Sequence, residues 1–191
     1  MPSNSVASRY SSLSIFLHWL MLALMIAVYA TMELKSYTDK GSDLRAALAV
    51  WHYTAGVLIF VLVWLRIVAR QQKPLRVDHD ASPAWQRALA RATHLLLYVL
   101  MIGMPLLGWL IQSAKGQPVV FFGFELPMLL AKDESLARLF KQLHQAFANF
   151  GYGVIALHVA AALFHHWVSR DDTLQRMLPR AARARERAPQ A

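Results

Sequence analysis

Four stretches of this chain run for twenty residues or more without one Asp, Glu, Lys or Arg: Leu13–Met32, Ala46–Leu65, Ala92–Ala114 and Gln142–Val168. At 1.5 Å of rise per residue, each is long enough as a helix to cross roughly 30 Å of hydrocarbon. A strand reading fails, because both faces of each stretch are apolar throughout. The pattern predicts an all-α fold: an integral membrane four-helix bundle. Of the 191 residues 57% are hydrophobic and 16% charged, whereas a soluble domain carries about 25% charged residues. Disorder, coiled coil and a charged soluble domain are therefore disfavoured. Residues 1–180 read as one transmembrane domain and 181–191 as a basic tail. Span one is longer than an ordinary signal-peptide core and lacks a small-residue cleavage site near Tyr29–Glu33, so it reads as a retained helix.

The charges between the spans set the expected orientation. Thirteen basic residues fall on one side: Arg9, six between Arg66 and Arg91, and six between Arg170 and Arg187. Seven fall on the other, Lys35, Lys40, Arg45, Lys115, Lys132, Arg138 and Lys141, mixed with six acids. The positive-inside rule places both termini in the cytoplasm. In a soluble protein a net charge of +9 would suggest nucleic acid; here the basic tail reads as contact with the inner leaflet, with no nucleic-acid partner. The segment Pro118–Leu130 is apolar but too short and broken to span, so it lies at the interface or folds back over the helix ends. Asp133–Leu143 reads as a short amphipathic helix leading into span four, and Pro105 as a kink in span three.

Cysteine is absent. That removes disulfides, iron–sulfur clusters, thiolate zinc sites and thioether-linked haem. Histidine is abundant instead. Of eight histidines, His18, His52, His94, His144, His158, His165 and His166 lie in or at the edges of spans, and His79 lies in a loop. Ionisable groups at membrane depth are costly and mark function by default.

Span four is the most informative. His144, Gly151 and His158 are seven residues apart, and a seven-residue step drifts by only about 20° around a helix. The three therefore stack on one face, the imidazoles separated by about 21 Å of rise. They are too far apart to share one ion, and Gly151 leaves room for a bulky group against the backbone. A flat macrocycle such as haem suits both facts. Each imidazole then needs a partner from another helix. Antiparallel geometry pairs His52, with Gly56 one turn beyond it, with His144 at the outer side, and His18 with His158 at the inner side. His165 shares the face of His158, so by depth His18 pairs with either. Two imidazoles on one iron leave no open coordination position and favour one-electron transfer. Haem propionates need cationic or hydrogen-bonding partners: Arg66 and Arg70 at the inner side, and Lys115, Lys141, Arg45 and Tyr53 at the outer. His94 reads as an interfacial residue with no cofactor role, and the tryptophans near span ends as an aromatic belt.

These residues resemble a known family. Tyr10–Trp19 with His18, His52 followed by Gly56, the run from His144 through Asn149, Gly151 and Tyr152 to Leu157-His158 and His165-His166-Trp167, and Asp172–Arg180 together resemble the bacterial dihaem cytochrome b561 proteins, most nearly the superoxide:ubiquinone oxidoreductase member. The resemblance covers nearly the whole chain. It implies a multi-pass protein of the bacterial inner membrane holding two haem b groups, with His18, His52, His144 and His158 as axial ligands. That choice settles the inner partner as His158. It also implies ubiquinone as an exchangeable substrate and superoxide as the outer electron donor. Lys115 and Lys141 are then the candidates for steering the superoxide anion, although the outer segments have a net charge of only +1. Related cytochromes pass electrons between the quinone pool and a separate redox partner protein, which is the alternative function. A histidine proton-relay transporter would call for intramembrane carboxylates, which the spans lack. A scaffold subunit would tolerate loss of the histidines.

Overall fold

The computed structural model describes residues 10–72 and 83–178. Four helices dominate: α1 Ser12–Ser36, α2 Asp43–Gln72, α3 Ala84–Ala114 and α4 Glu134–Trp167. All four are long and apolar enough to cross a membrane. A two-stranded hairpin, β1 Val120–Phe121 and β2 Phe124–Glu125, lies between α3 and α4, and a single 3-10 turn, Gln175–Met177, follows α4. Arg9, Lys73, Arg76, His79, Pro179, Arg180 and the tail 181–191 lie outside the described residues.

The helices outrun the apolar stretches. Helix α4 has 34 residues, about 51 Å of rise, so its first turns project beyond the bilayer. The amphipathic segment expected at Asp133–Leu143 is not separate; it forms the start of α4. The Asp133 side chain caps this helix, accepting from the amides of Ser135 at 2.8 Å and Leu136 at 3.1 Å. No proline or glycine interrupts the helix before Gly151. Hydrogen bonds from Ser135 and then Leu136 hold the exposed Asp133 carboxyl below its ordinary range. Ser11 caps α1 in the same way, accepting from the amide of Ser14 at 3.1 Å.

Few side chains are buried. Met21, Ile59 and Val63 form the core, with Leu24, Met25, Val28, Ile67, Tyr98, Met101 and Ile102 packed around them. Phe16, Ile26, Val61, Trp64, Leu65, Leu95 and Val99 face outward. A continuous apolar exterior is untenable in water and natural in lipid, where the helix backbone satisfies its own hydrogen bonds. The chain is a multi-pass membrane protein of the inner-membrane type.

The packing is uneven, and this creates the site. Helix α1 lies close along α2, α3 close along α4, and α2 against α3; among the described residues α4 approaches the backbones of α1 and α2 far less closely. A slot therefore runs between the α1–α2 pair and α4, bridged by side chains. Both described ends of the chain meet at one face of the bundle, where Trp19 Nε1 donates to the carbonyl of Met177 at 2.8 Å. The segment 116–133 folds back over the helix ends: Leu126 N donates to Val119 O, Leu129 N to Ser113 Oγ and Asp133 N to Ala114 O. The loop thus folds back on the bundle, one of the two placements expected for it.

Candidate cofactor sites

At the end of the slot beside the α1–α2 connection, the end that the charge bias of the sequence predicts to be outer, His52 from α2 faces His144 from α4, with ring centroids 6.2 Å apart and planes at 67°. His52 Nδ1 lies 2.9 Å from the carbonyl oxygen of Val28. A carbonyl only accepts, so Nδ1 carries the proton and Nε2 presents a lone pair. This is the outer-shell contact that fixes the tautomer of a metal-binding imidazole. His144 Nδ1 is buried and has no hydrogen-bond partner. Helix α3 comes close here: a Cβ on Gly108 would stand 3.6 Å from His144 Cε1.

A cavity of about 720 Å³ opens beside this pair, its walls including His52, His144, Gly56, Tyr29, Tyr53 and Met104. That volume is within the usual range for a cofactor pocket. A Cβ on Gly56 would meet nothing within 4 Å, so this glycine opens onto free space. Around the rim stand Lys35, Arg45, Lys115 and Lys141, with Glu33 among them. They come from both ends of α1 and α2's connection, from the end of α3 and from α4, and Lys35 lies within electrostatic reach of the other three cations. Folding thus clusters cations that are diluted by acids along the sequence. Lys40 is not part of the cavity wall. Arg45 is held in place by donating to the carbonyls of Lys35 at 2.7 Å and Thr38 at 3.0 Å.

At the inner end, His18 from α1 faces His158 from α4, with centroids again 6.2 Å apart and planes at 76°. A third imidazole joins them: His94 from α3 lies 5.4 Å from His158. The structure thus places His94 in the inner cluster, where the sequence suggested a plain interfacial residue. Arg66 lies within reach of both His18 and His158, interacts with Tyr98, and donates through Nη1 to Ser14 O at 3.3 Å. Arg70 lies near Arg66 and His94. His165 is engaged elsewhere, its Nδ1 lying 2.5 Å from Asp171 Oδ2. Burial pushes the Asp171 carboxyl up, but hydrogen bonds from Thr173 and His165 outweigh it and leave the group below its ordinary range.

Gly151 sits between the two imidazoles of α4, as the heptad spacing requires. The room that the sequence suggested for a bulky group at Gly151 is instead taken by Tyr29, whose hydroxyl crowds the place where a Gly151 side chain would begin. Tyr29 donates to Ala148 O at 2.9 Å and packs on Tyr152, whose hydroxyl donates to Glu33 at 2.8 Å. Sequence reasoning did not single out Tyr29, Lys35, Glu33 or Gly108 for the site. For Gly108, one of two glycines in span three with Gly103, its place within the apolar run was the available signal.

The residues fit haem. Two metal–imidazole bonds of about 2.0–2.1 Å, plus about 1.1 Å from each bonded nitrogen to its ring centre, separate trans rings by roughly 6.2–6.4 Å. Both facing pairs stand at 6.2 Å; the His94–His158 pair, at 5.4 Å, is too close. A buried nitrogen without a partner, a glycine facing open space and a cationic rim complete a donor set suited to an iron porphyrin with two carboxylates.

A four-helix membrane bundle with facing imidazoles toward both ends is the layout of a membrane cytochrome of the b type. The chain belongs to the prokaryotic cytochrome b561 family, whose sequence profile matches residues 9–180. It is 35% identical to cytochrome b561 homolog 1 of Escherichia coli K12 over 173 residues, covering 91% of this chain and 98% of that one. It is 33% identical over 172 residues to a Yersinia pestis protein named "Probable superoxide oxidase CybB", covering 90% and 97%. Cytochrome b561 homolog 2 of Escherichia coli K12 is 30% identical over 186 residues, covering 95% and 97%. The family binds haem b, and membership in it suggests an oxidoreductase with an electron-transfer role.

Proposed function

We propose that this protein carries electrons across the inner membrane between two haem b groups, taking them from superoxide at the outer face and delivering them to ubiquinone. The observation that carries the reading is the pair of facing imidazoles toward each end of α4, at equal ring separations. His52 and His144 hold the outer group, and His18 and His158 the inner. Bound haem supplies a one-electron couple toward each side of the bilayer. The chain's own residues do the rest. The Val28 carbonyl orients His52, and Gly56 keeps bulk away from the backbone beside the macrocycle. Arg66 compensates propionate charge at the inner side.

The charge bias between segments places both termini in the cytoplasm, so the cavity rim faces the periplasm. Lys115 and Lys141, joined by Lys35 and Arg45, form a positive mouth that draws a small anion toward the outer pair. Each superoxide loses one electron and leaves as dioxygen; two such events, with two protons, reduce one quinone to quinol. His18, His52, His144 and His158 would hold the two groups and leave no protein-free ligand position for the donor, so haem would supply outer-sphere electron transfer there.

The test is a haem-to-protein ratio with reduced-minus-oxidised spectra on the purified chain, followed by reduction with a superoxide-generating system. A ratio near two, low-spin b-type bands and superoxide-driven quinone reduction are expected. Folded protein that takes up no haem would overturn the cofactor reading. Haem reduced by quinol but not by superoxide would replace the donor with a partner redox protein.

A further inference from the structure

The hairpin between α3 and α4 carries features that the redox function does not use. From Gly116 to Phe124 the chain has no charged residue, and three of the last four are phenylalanines. The strands pair Val120 with Glu125 and Phe121 with Phe124, leaving a two-residue turn at Phe122-Gly123. Both turn residues have positive φ, 48° at Phe122 and 86° at Gly123, the pattern of a type I′ turn. Asparagine is the favoured first residue of such a turn. A phenylalanine there holds a strained left-handed backbone. The strain presents an aromatic ring outward: Phe122 is 67% and Phe124 76% exposed.

The depth of this segment is set by its ties to α3. Trp109 Nε1 donates to Pro127 O at 3.0 Å. Trp109 is five residues, about 7.5 Å of rise, below the end of α3 at Ala114, and helical side chains lean further toward the helix N-terminus. The loop therefore descends along the outside of the bundle to the depth where the aromatic belt of a membrane protein lies. Met128 and Leu129, beside Pro127, also face outward. At the stem, Val119 is only 4% exposed and forms part of the outer cavity wall.

We propose that residues 116–129 form a lipid-seated flap: Phe122 and Phe124 insert at the headgroup–acyl boundary of the adjacent leaflet, while Val119 at the stem walls the outer cavity. The occupant is phospholipid, because the face that carries Phe122 and Phe124 is uncharged and aromatic, with Glu125 on the other face opposite Val120, and because Trp109 ties the segment to α3 at belt depth. The flap fixes the cavity mouth at the membrane surface, and a ligand reaches it along the headgroup layer. The insertion itself does not depend on the identity of the electron donor.

The chain has no cysteine, so single nitroxide labels can be placed without background. Labels at Phe122→Cys, Phe124→Cys and, as a water-exposed control, Lys40→Cys are compared in the full chain in phosphatidylcholine–phosphatidylglycerol nanodiscs. Collision with dissolved oxygen and with a water-soluble nickel chelate is read by power-saturation spectroscopy. Insertion predicts an oxygen-to-nickel accessibility ratio several-fold higher at 122 and 124 than at 40. Equal ratios at all three sites overturn the proposal. So do labels at 122 and 124 that neither reagent reaches, which would mean that protein covers the tip. If Phe122→Cys fails to fold, Phe124→Cys alone decides, since residue 124 lies in a strand and its substitution leaves the turn unchanged.

Discussion

The hydroxyl of Tyr29 stands where a side chain on Gly151 would begin, and from there donates to the carbonyl of Ala148 at 2.9 Å. This contact ties α1 to α4 midway between the two histidine pairs. Gly151→Ala forces Tyr29 to move and breaks its hydrogen bond, an overpacking change of about 1–3 kcal/mol. Removing the hydroxyl gives the methyl room, so Tyr29→Phe in the same chain restores part of the loss. A thermal melt of both single variants and the double variant measures the coupling; additive losses would show that the two residues do not meet.

Gly56 opens onto the outer cavity, so bulk there competes with the cofactor and with little else. Gly56→Leu is expected to lower haem from two per chain toward one while leaving the inner spectrum intact. His144→Ala should do the same by removing a ligand. Gly108→Ala, whose Cβ would make ordinary contact with His144 Cε1 at 3.6 Å, should keep both haems. Pyridine haemochrome content separates these outcomes.

The cationic rim predicts a salt dependence. Lys115→Glu with Lys141→Glu inverts half of the four-cation cluster. Reduction by superoxide should slow by about tenfold or more at low ionic strength. Above about 0.15 M salt, where the screening length falls to about 8 Å, the gap to the parent should narrow. Stopped-flow rates across a salt series give the answer, and rates blind to both charge and salt would remove these lysines from the donor route.

Acid should loosen the segment after α4. Asp171 accepts from the Thr173 amide at 2.9 Å and lies 2.5 Å from His165 Nδ1. Its carboxyl is depressed in the folded protein. Its stabilising effect is therefore complete above the unfolded carboxylate value of about 3.9 and is lost as pH falls through the lower folded value. The pair is part-exposed, so its contribution is about 1 kcal/mol or less. Amide exchange over residues 169–177 should rise below about pH 4 in the parent, and be raised already at pH 7 in Asp171→Asn.

Phe122→Asn relieves the left-handed strain at the hairpin tip and supplies the preferred turn residue. In detergent it should leave thermal stability unchanged or raise it by about 1 kcal/mol. In nanodiscs, a label at position 124 in this variant should report shallower depth, because one of two inserted rings is gone.

The sequence alone determined the lipid-crossing architecture and the stacking of His144, Gly151 and His158 on one helix face. Both are properties of a single helix: hydropathy over twenty residues decides where the chain is stable in hydrocarbon, and a seven-residue period decides which residues share a face. His52 was legible as a partner of His144 because alternating helix direction fixes depth, whereas depth left His18 open to His158 or His165 and the family resemblance made that choice. Rotation and spacing between helices are not written locally. Only the tertiary structure decided that Lys35, Arg45, Lys115 and Lys141, interleaved with acids along the chain, meet at one rim, and that His94 from α3 joins the inner cluster. It alone placed the Val28 carbonyl on His52 and the Tyr29 hydroxyl against Gly151. Such contacts depend on how each helix turns about its own axis when its neighbours pack. That rotation is settled by the whole bundle at once, through side chains far apart in sequence.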